Sequence, residues 1–546
     1  MSIPKHMSPL EVIRLYPCHG STLTSLLQSR LNRDENRPLI IFNEKTISWK
    51  EFAETKNKLA QMLLYKGVKR GDRIAIMAHN HEAHVLLLFA LARIGAIMVP
   101  VNPEFGVQEA KYVLNHSGAS GIFCSALTYS TIKQATQEFH TEPWFFSMDG
   151  EIDQVPQMVQ SISQVENIEL PEDVFSDDIC VLVYSSGTTG FPKGVMHSQR
   201  NLVLCSERQI VRVELQPDDR CMCVLPMFHV NALFYSILGT VAAGCCLVIV
   251  GKFSASKFWE TVAKTGTTQV NLLMAITTIL ARRSREEFVP GVKLRCVSGS
   301  PFTKETMDVF LNEFGVKRVI EGFGMTEIPG AFSNPYNGPH RLASMGWPGK
   351  HPDPDIVWTQ ARVVDEEGKD LANGFTGELV VKIPTMMKGY FNDPMQTADA
   401  FRDGWFLTGD LVYRNEEGCF FFVARKKDII RRRGENIAGA ELDRIISLHP
   451  NVLEVATIAT DSELGEDEIM AVVVPNPSTS IVEEDIRIWC AERLAAHKIP
   501  RFVVFVGELP HTPTHKVAKF ILKKDSSLRA RAIDFQDVKV VNSEGR

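Results

Sequence analysis

Five uncharged, mostly branched residues, Ile179-Cys180-Val181-Leu182-Val183, run straight into Tyr184-Ser185-Ser186-Gly187-Thr188-Thr189-Gly190-Phe191-Pro192-Lys193-Gly194. The first part reads as a buried strand. The second crowds four hydroxyls and three glycines into the ten positions from Ser185 to Gly194, with Lys193 near the end. Glycine lets backbone amides approach a ligand with no side chain in the way. Hydroxyls and successive N–H groups suit phosphate oxygens, and a lysine adds a point charge. The stretch reads as a phosphate-holding loop. It is not a Walker A loop, because no Gly-Lys-Ser/Thr occurs in it. The bland alternative is a flexible Ser/Gly/Thr linker, against which Pro192, Lys193 and the preceding strand all argue.

At 546 residues the chain exceeds what one core supports, so two or more domains are expected. A net charge of −6 gives no general attraction to nucleic acid. Eleven cysteines in so long a chain make no disulfide framework, and Cys221/Cys223 and Cys245/Cys246 sit in apolar runs with the wrong spacing for zinc. Met1 to Ser21 has no apolar core of a secretory signal, so a cytoplasmic protein is expected. Ala232 to Val250 carries no charge but is broken at Gly239 and Gly244, which predicts a buried helix followed by a strand and not a membrane span.

Strand-like Arg73 to Met77, helix-like Glu82 to Ile94 and strand-like Gly95 to Val101 alternate as in a largely parallel sheet covered by helices. Residues 137–178 are polar and irregular and read as a surface excursion. Further on come Leu225-Pro226-Met227-Phe228-His229-Val230-Asn231, then Arg295-Cys296-Val297-Ser298-Gly299-Ser300-Pro301 as strand and tight turn. Val319-Ile320 leads into Glu321-Gly322-Phe323-Gly324-Met325-Thr326-Glu327. A hydroxyl beside a carboxylate suits an α-phosphate and a magnesium ion, which takes few carboxylates plus phosphate oxygens. The alternative for a Thr-Glu pair is a helix N-terminus. Gly404-Trp405-Phe406-Leu407-Thr408-Gly409-Asp410 puts a carboxylate after a glycine turn, apt for a ribose diol. Past Phe420 to Ala424, the chain becomes basic at Arg425-Lys426-Lys427 and Arg431-Arg432-Arg433-Gly434. Near its end stands Pro513-Thr514-His515-Lys516-Val517-Ala518-Lys519.

In this order, over roughly residues 20–525, these blocks resemble the adenylate-forming superfamily, in its acyl-CoA synthetase branch. They are most similar to the crotonobetaine/carnitine–CoA ligases and related bacterial acyl-CoA synthetases. The resemblance implies an α/β fold: a large N-terminal domain (1–426) of mixed, largely parallel sheets covered by helices, and a smaller mobile α+β C-terminal domain (427–546) hinged at Lys427. It implies ATP, Mg2+ and coenzyme A as ligands, a carboxylic acid as substrate, and leaves a homodimer open. It assigns Ser185, Ser186, Gly187, Thr188, Thr189, Gly190 and Lys193 to the phosphates. Gly299, Ser300, Pro301, Glu321, Gly322 and Phe323 fall to the adenine, with Phe323 where most members carry Tyr. Thr326 and Glu327 take the α-phosphate and the metal, Asp410 and Arg425 the ribose, and Gly434 the coenzyme A tunnel. His229 lines the acyl pocket, and Lys516 is the adenylation lysine, with Lys519 as the lesser alternative. His515 departs from the family's Gly-Lys. The acid is a betaine caged by Phe228, Phe234 and Tyr235, or a medium-chain, branched, steroid-side-chain or aryl acid. A carrier-loading or luciferase-like enzyme, and a non-catalytic homologue, are the other readings.

Overall fold

The computed structural model describes residues 6–33, 35–168, 170, 173–185, 192–299, 301–432, 435–461, 467–477, 479–511 and 517–535. Of the residues singled out above, Ser186, Gly187, Thr188, Thr189, Gly190, Ser300, Arg433, Gly434, His515 and Lys516 lie outside these ranges. The chain divides into two compact units, residues 1–361 with 381–406, and residues 362–380 with 407–546.

Two large sheets build the first unit among the described residues. Six strands run Trp144–Ser147, Gly121–Cys124, Arg73–Met77, Ile97–Val101, Ile179–Ser185 and Lys193–Ser198 across one of them. Neighbours are parallel except for the last pair, which is antiparallel. The other has nine strands, with a parallel centre that includes Arg220–Cys223, Gln269–Asn271, Cys296–Gly299 and Arg318–Phe323. Helix Trp49–Tyr65 packs by strands Pro38–Phe42 and Lys45–Ser48 at one edge of this sheet, and Glu82–Arg93 packs on Ile97–Val101 and Ile179–Ser185 of the six-stranded one, as the apolar faces of parallel sheets require. Capping follows the local sequence: Ser48 accepts from the Glu51 amide while Glu51 reaches back to the Ser48 amide.

One segment differs from the sequence expectation, and another meets it as buried helix then strand but with a local departure. Within residues 137–178 the structure has an edge strand, Trp144–Ser147, whose Phe146 stacks on Phe123 in the core. Four residues after a proline are too few to show a period. The apolar run from Ala232 opens on a π-helix, Asn231–Ile237, continues as α-helix Leu238–Ala243, and ends in strand Cys246–Ile249. No helix among the described residues is long and apolar enough to cross a membrane.

The second unit contains a sheet of Val452–Asp461, Asp467–Pro475, Phe502–Phe505 and Ile533–Asp534. It is antiparallel except where Asp467–Pro475 runs parallel to Phe502–Phe505, and helices Gly439–Ser447 and Glu483–Ala491 accompany it. From Leu407 on, strand Trp405–Arg414 pairs in this unit with Phe420–Arg425, Asp410 opposite Arg425.

Candidate active site

In the first unit, Ser185 and Lys193 face each other at the last register position of their antiparallel pair, so the strands bring both ends of the glycine-hydroxyl stretch together. The other edge of Lys193–Ser198 is taken by residues 388–391. Met196 N donates to Gly389 O at 3.0 Å, Lys388 N to Met196 O at 2.9 Å, and Phe391 N to Gly194 O at 2.8 Å. This lays Tyr390 alongside the lysine: the Lys193 ammonium stands 4.8 Å from the Tyr390 ring centroid. The Tyr390 hydroxyl donates to Glu327 Oε1 at 3.0 Å. Lys193 and Glu327, 134 positions apart in the chain, are thus joined through one tyrosine. Burial and the Glu327 carboxylate push the Tyr390 hydroxyl above its ordinary value, so it stays a proton donor at any working pH.

Thr326 and Glu327 lie in a loop with no helix starting at them, which removes the helix N-terminus alternative. A buried histidine fixes this loop. His197 donates from Nε2 to Thr326 O at 2.7 Å, and its Nδ1 accepts from Asn201 Nδ2 at 3.1 Å. The two contacts set the neutral Nε2–H tautomer, and burial pushes the imidazole down to about 4. Asn201 also donates to Met386 O at 2.8 Å, and Met387 N donates to Glu327 O at 2.8 Å. The His197 ring meets Phe234 edge-on at 5.1 Å, which ties the π-helix to the same loop. His229 precedes that helix, its ring 4.2 Å from that of Phe228.

The adenine blocks come together as neighbouring strand ends. Strand Cys296–Gly299 is parallel to Arg318–Phe323, with Gly299 opposite Glu321. Glu321 Oε1 accepts from the Phe302 amide at 3.0 Å, just beyond the turn that carries exposed Pro301. Burial pushes the Glu321 carboxyl up to about 7, partly offset by the Phe302 and Ala343 amides. Neither glycine has room for a side chain: a Cβ on Gly299 would stand 2.7 Å from Leu272 O, and one on Gly322 2.8 Å from Phe332 O. Phe323 is half-buried, 6.1 Å from Phe332 ring to ring.

In the second unit, fully buried Asp410 is ion-paired to Arg425, Nε to Oδ1 at 2.7 Å. Gly409, at φ +67°, lies inside strand Trp405–Arg414 and not in the turn the sequence suggested, and the Thr408 hydroxyl accepts from the Asp410 amide at 3.1 Å. Lys427 lies in a short 3-10 turn, Lys426–Asp428. Of the basic cluster, Arg432 is buried against Glu468 at 2.7 Å and donates to His497 O and Ile499 O, so it is structural, whereas Arg431 is exposed. Lys519 is likewise committed, ion-paired to Asp443 and bonded to Thr457 O at 3.1 Å.

A lysine at the end of a glycine-hydroxyl stretch, tied through a tyrosine to a buried carboxylate, suits the phosphates of a nucleotide. The family model of AMP-binding enzymes matches residues 27–391, and that of the AMP-binding enzyme C-terminal domain matches residues 441–516. The crotonobetaine/carnitine–CoA ligase of Citrobacter koseri is 31% identical, over 89% of this chain and 96% of that protein. The sulfoacetate–CoA ligase of Cupriavidus necator is 30% identical, over 92% and 97%. The ATP-bound crystal structure of MatB from Rhodopseudomonas palustris superposes with a TM-score of 0.82 at 26% identity, over 91% of this chain and 98% of that one. The chain belongs to the family of AMP-binding enzymes, in its acyl-CoA synthetase branch.

Proposed function

We infer that the chain is an AMP-forming acid–CoA ligase that works in two half-reactions. In the first, a carboxylate oxygen attacks the α-phosphorus of ATP and pyrophosphate leaves. In the second, the coenzyme A sulfur attacks the acyl carbon and AMP leaves with the bonding pair. Both nucleophiles come from substrates, so the protein positions groups and stabilises charge. What carries the reading is Tyr390, which holds the Glu327 carboxylate while its ring packs on Lys193.

Each residue then has a task. Ser185 and Lys193, with Ser186, Gly187, Thr188, Thr189 and Gly190, hold the phosphates. Gly299, Ser300, Pro301, Gly322 and Phe323 border the adenine, and Glu321 ties their strands. Thr326 faces the α-phosphate. Glu327 suits magnesium, being a nearly enclosed oxygen donor with no lysine or arginine ion-paired to it among the described residues. Magnesium bound with ATP would neutralise phosphate charge. Asp410 with Arg425 takes the ribose hydroxyls, His229 borders the acid, and Gly434 the coenzyme A. Rotation of a C-terminal domain (427–546) about Lys427 separates the half-reactions, with Lys516 serving only the first. Support for Lys516 over Lys519 is that Lys519 is spent on Asp443. None of the eleven cysteines is in a disulfide, which supports a cytoplasmic setting. A homodimer is a further reading, checked by sedimentation.

The test is a Lys516→Ala variant. It should lose acid-dependent pyrophosphate exchange by at least about 100-fold, as for loss of one transition-state charge contact, yet still convert synthetic acyl-adenylate and coenzyme A to thioester. Failure of the second reaction would defeat the division of labour.

A further inference from the structure

Helix Gln199–Val213 carries two arginines on one face, Arg208 and Arg212, one turn apart and 1% and 8% exposed. Neither forms an ion pair with a carboxylate among the described residues. The groups that face them are the Tyr235 hydroxyl and the Cys205 and Cys296 thiols, and each other. Arg208 gives one bond, Nη2 to Ser333 Oγ at 2.8 Å, and its Nε and Nη1 are buried without an acceptor, as is Arg212 Nε. Burial and the Arg212 charge pull Arg208 down to about 10. Arg30, the other fully buried arginine among the described residues, gives two bonds to Ala242 O with Glu207 nearby. Two adjacent guanidiniums without a countercharge are costly to bury, and each stays charged.

Their position says what they are for. Arg212 Nη2 stands 3.0 Å from where a Gly322 Cβ would be, and Arg208 Cδ 3.3 Å from that of Gly330, so they flank both ends of the loop that bears Thr326 and Glu327. The Arg212 guanidinium lies 5.3 Å from the Tyr235 ring, whose hydroxyl accepts from the Gly330 amide at 2.7 Å. Tyr235 belongs to the π-helix that follows His229.

We propose that the acid substrate bears a second anionic group, a carboxylate or sulfonate, at the end remote from the reacting carboxyl, and that Arg212 backed by Arg208 supplies its countercharge. This rests on the ligase reading and narrows it. A betaine would add a third cation to two that already lack a partner, and an uncharged tail would leave both unneutralised.

The test uses the full-length enzyme and four acids of similar length: butyrate, succinate, 3-sulfopropanoate and 4-(trimethylammonio)butyrate. Thioester mass and pyrophosphate release are read, with thermal shifts for each acid and for ATP alone. Succinate or 3-sulfopropanoate should exceed butyrate in kcat/KM by at least about 100-fold, as sites built to pair a charged group discriminate. The betaine should give no product. Arg212→Gln should abolish that preference and the acid's thermal shift, leave the Tm of the free protein unchanged or raised, and leave the ATP shift intact; Arg212→Lys should restore part of the preference. Preference for butyrate or the betaine overturns the proposal and leaves the ligase reading standing. An Arg212→Gln variant that loses the ATP shift assigns the anion to the nucleotide and overturns it too. Absence of acid-dependent pyrophosphate release with any carboxylate of a broad library sinks the ligase reading itself.

Discussion

At the scale of single residues, the site depends on side chains that no motif announced. Lys193, Glu327, Asp410 and Arg425 stand out in the sequence as candidates because they sit in or beside runs whose composition is unusual. Tyr390 and His197 do not, because what makes them matter is a partner 63 or 129 positions away. Tyr390→Phe keeps the ring against Lys193 and removes only the donor to Glu327. A hydrogen bond to a charged group is worth about 1.5–3 kcal/mol, so kcat/KM for ATP in pyrophosphate exchange should fall by about 10- to 100-fold. The folded structure should persist, with a Tm within a few degrees of the parent. Unchanged exchange kinetics would mean that Glu327 needs no orientation by Tyr390.

At the scale of elements, strand Ile179–Ser185 was plain from its uncharged, branched sequence, and the strand–helix alternation from Arg73 to Val101 announced a largely parallel sheet but not its strand order. Two short elements were not plain. Trp144–Ser147 and the π-helix Asn231–Ile237 owe their form to packing against Phe123 and to the His197–Phe234 contact, which are tertiary facts. Close approach between strand ends was legible only as an unexplained glycine. Gly299 makes this concrete, since the atom its Cβ would strike is the Leu272 carbonyl, a backbone oxygen in the adjoining chain segment with no rotamer to escape by. Gly299→Ala should therefore push two elements apart and cost about 1–3 kcal/mol of first-unit stability, with ATP affinity lowered in parallel. Gly291 offers the control. It has φ +80° but nothing within 4 Å of its Cβ, so Gly291→Ala should cost about 1 kcal/mol in backbone strain alone and leave ATP affinity unchanged. Equal effects of the two substitutions on ATP binding, measured by calorimetry, would remove the steric argument.

At the scale of the molecule, the first unit holds titratable groups whose burial ties its stability to pH in opposing directions. His84 and His197 are fully buried, and burial pushes them down to about 3 and about 4, from an ordinary 6.5. Between pH 6.5 and 4.5 the unfolded chain binds a proton at each that the native state refuses, so stability falls as pH falls. Glu321 works the other way. Its carboxyl, raised by burial to about 7 from an ordinary 4.5, is protonated in the native state and ionised in the unfolded one across that window, so stability rises as pH falls. Two histidine protons against one glutamate proton leave a loss of about 1.4 kcal/mol per pH unit on acidification from these three groups, and His81, His116 and His340, also pushed down by burial, add to it. Below 4.5 a further group joins the histidines. Burial works to raise Glu207, but hydrogen bonds from His19 and His351 outweigh it and hold that carboxyl at about 2, so its contribution is lost as pH falls from 4.5 toward 2. Glu321→Gln removes the one opposing term. Urea unfolding of the first unit at pH 6.5, 5.5 and 4.5 should then show the loss steepen by about 1.4 kcal/mol per pH unit, and an unaltered slope in that variant would mean that Glu321 is ionised in the native enzyme, with its burial offset by His340, whose Nε2 stands 3.5 Å from its Oε2.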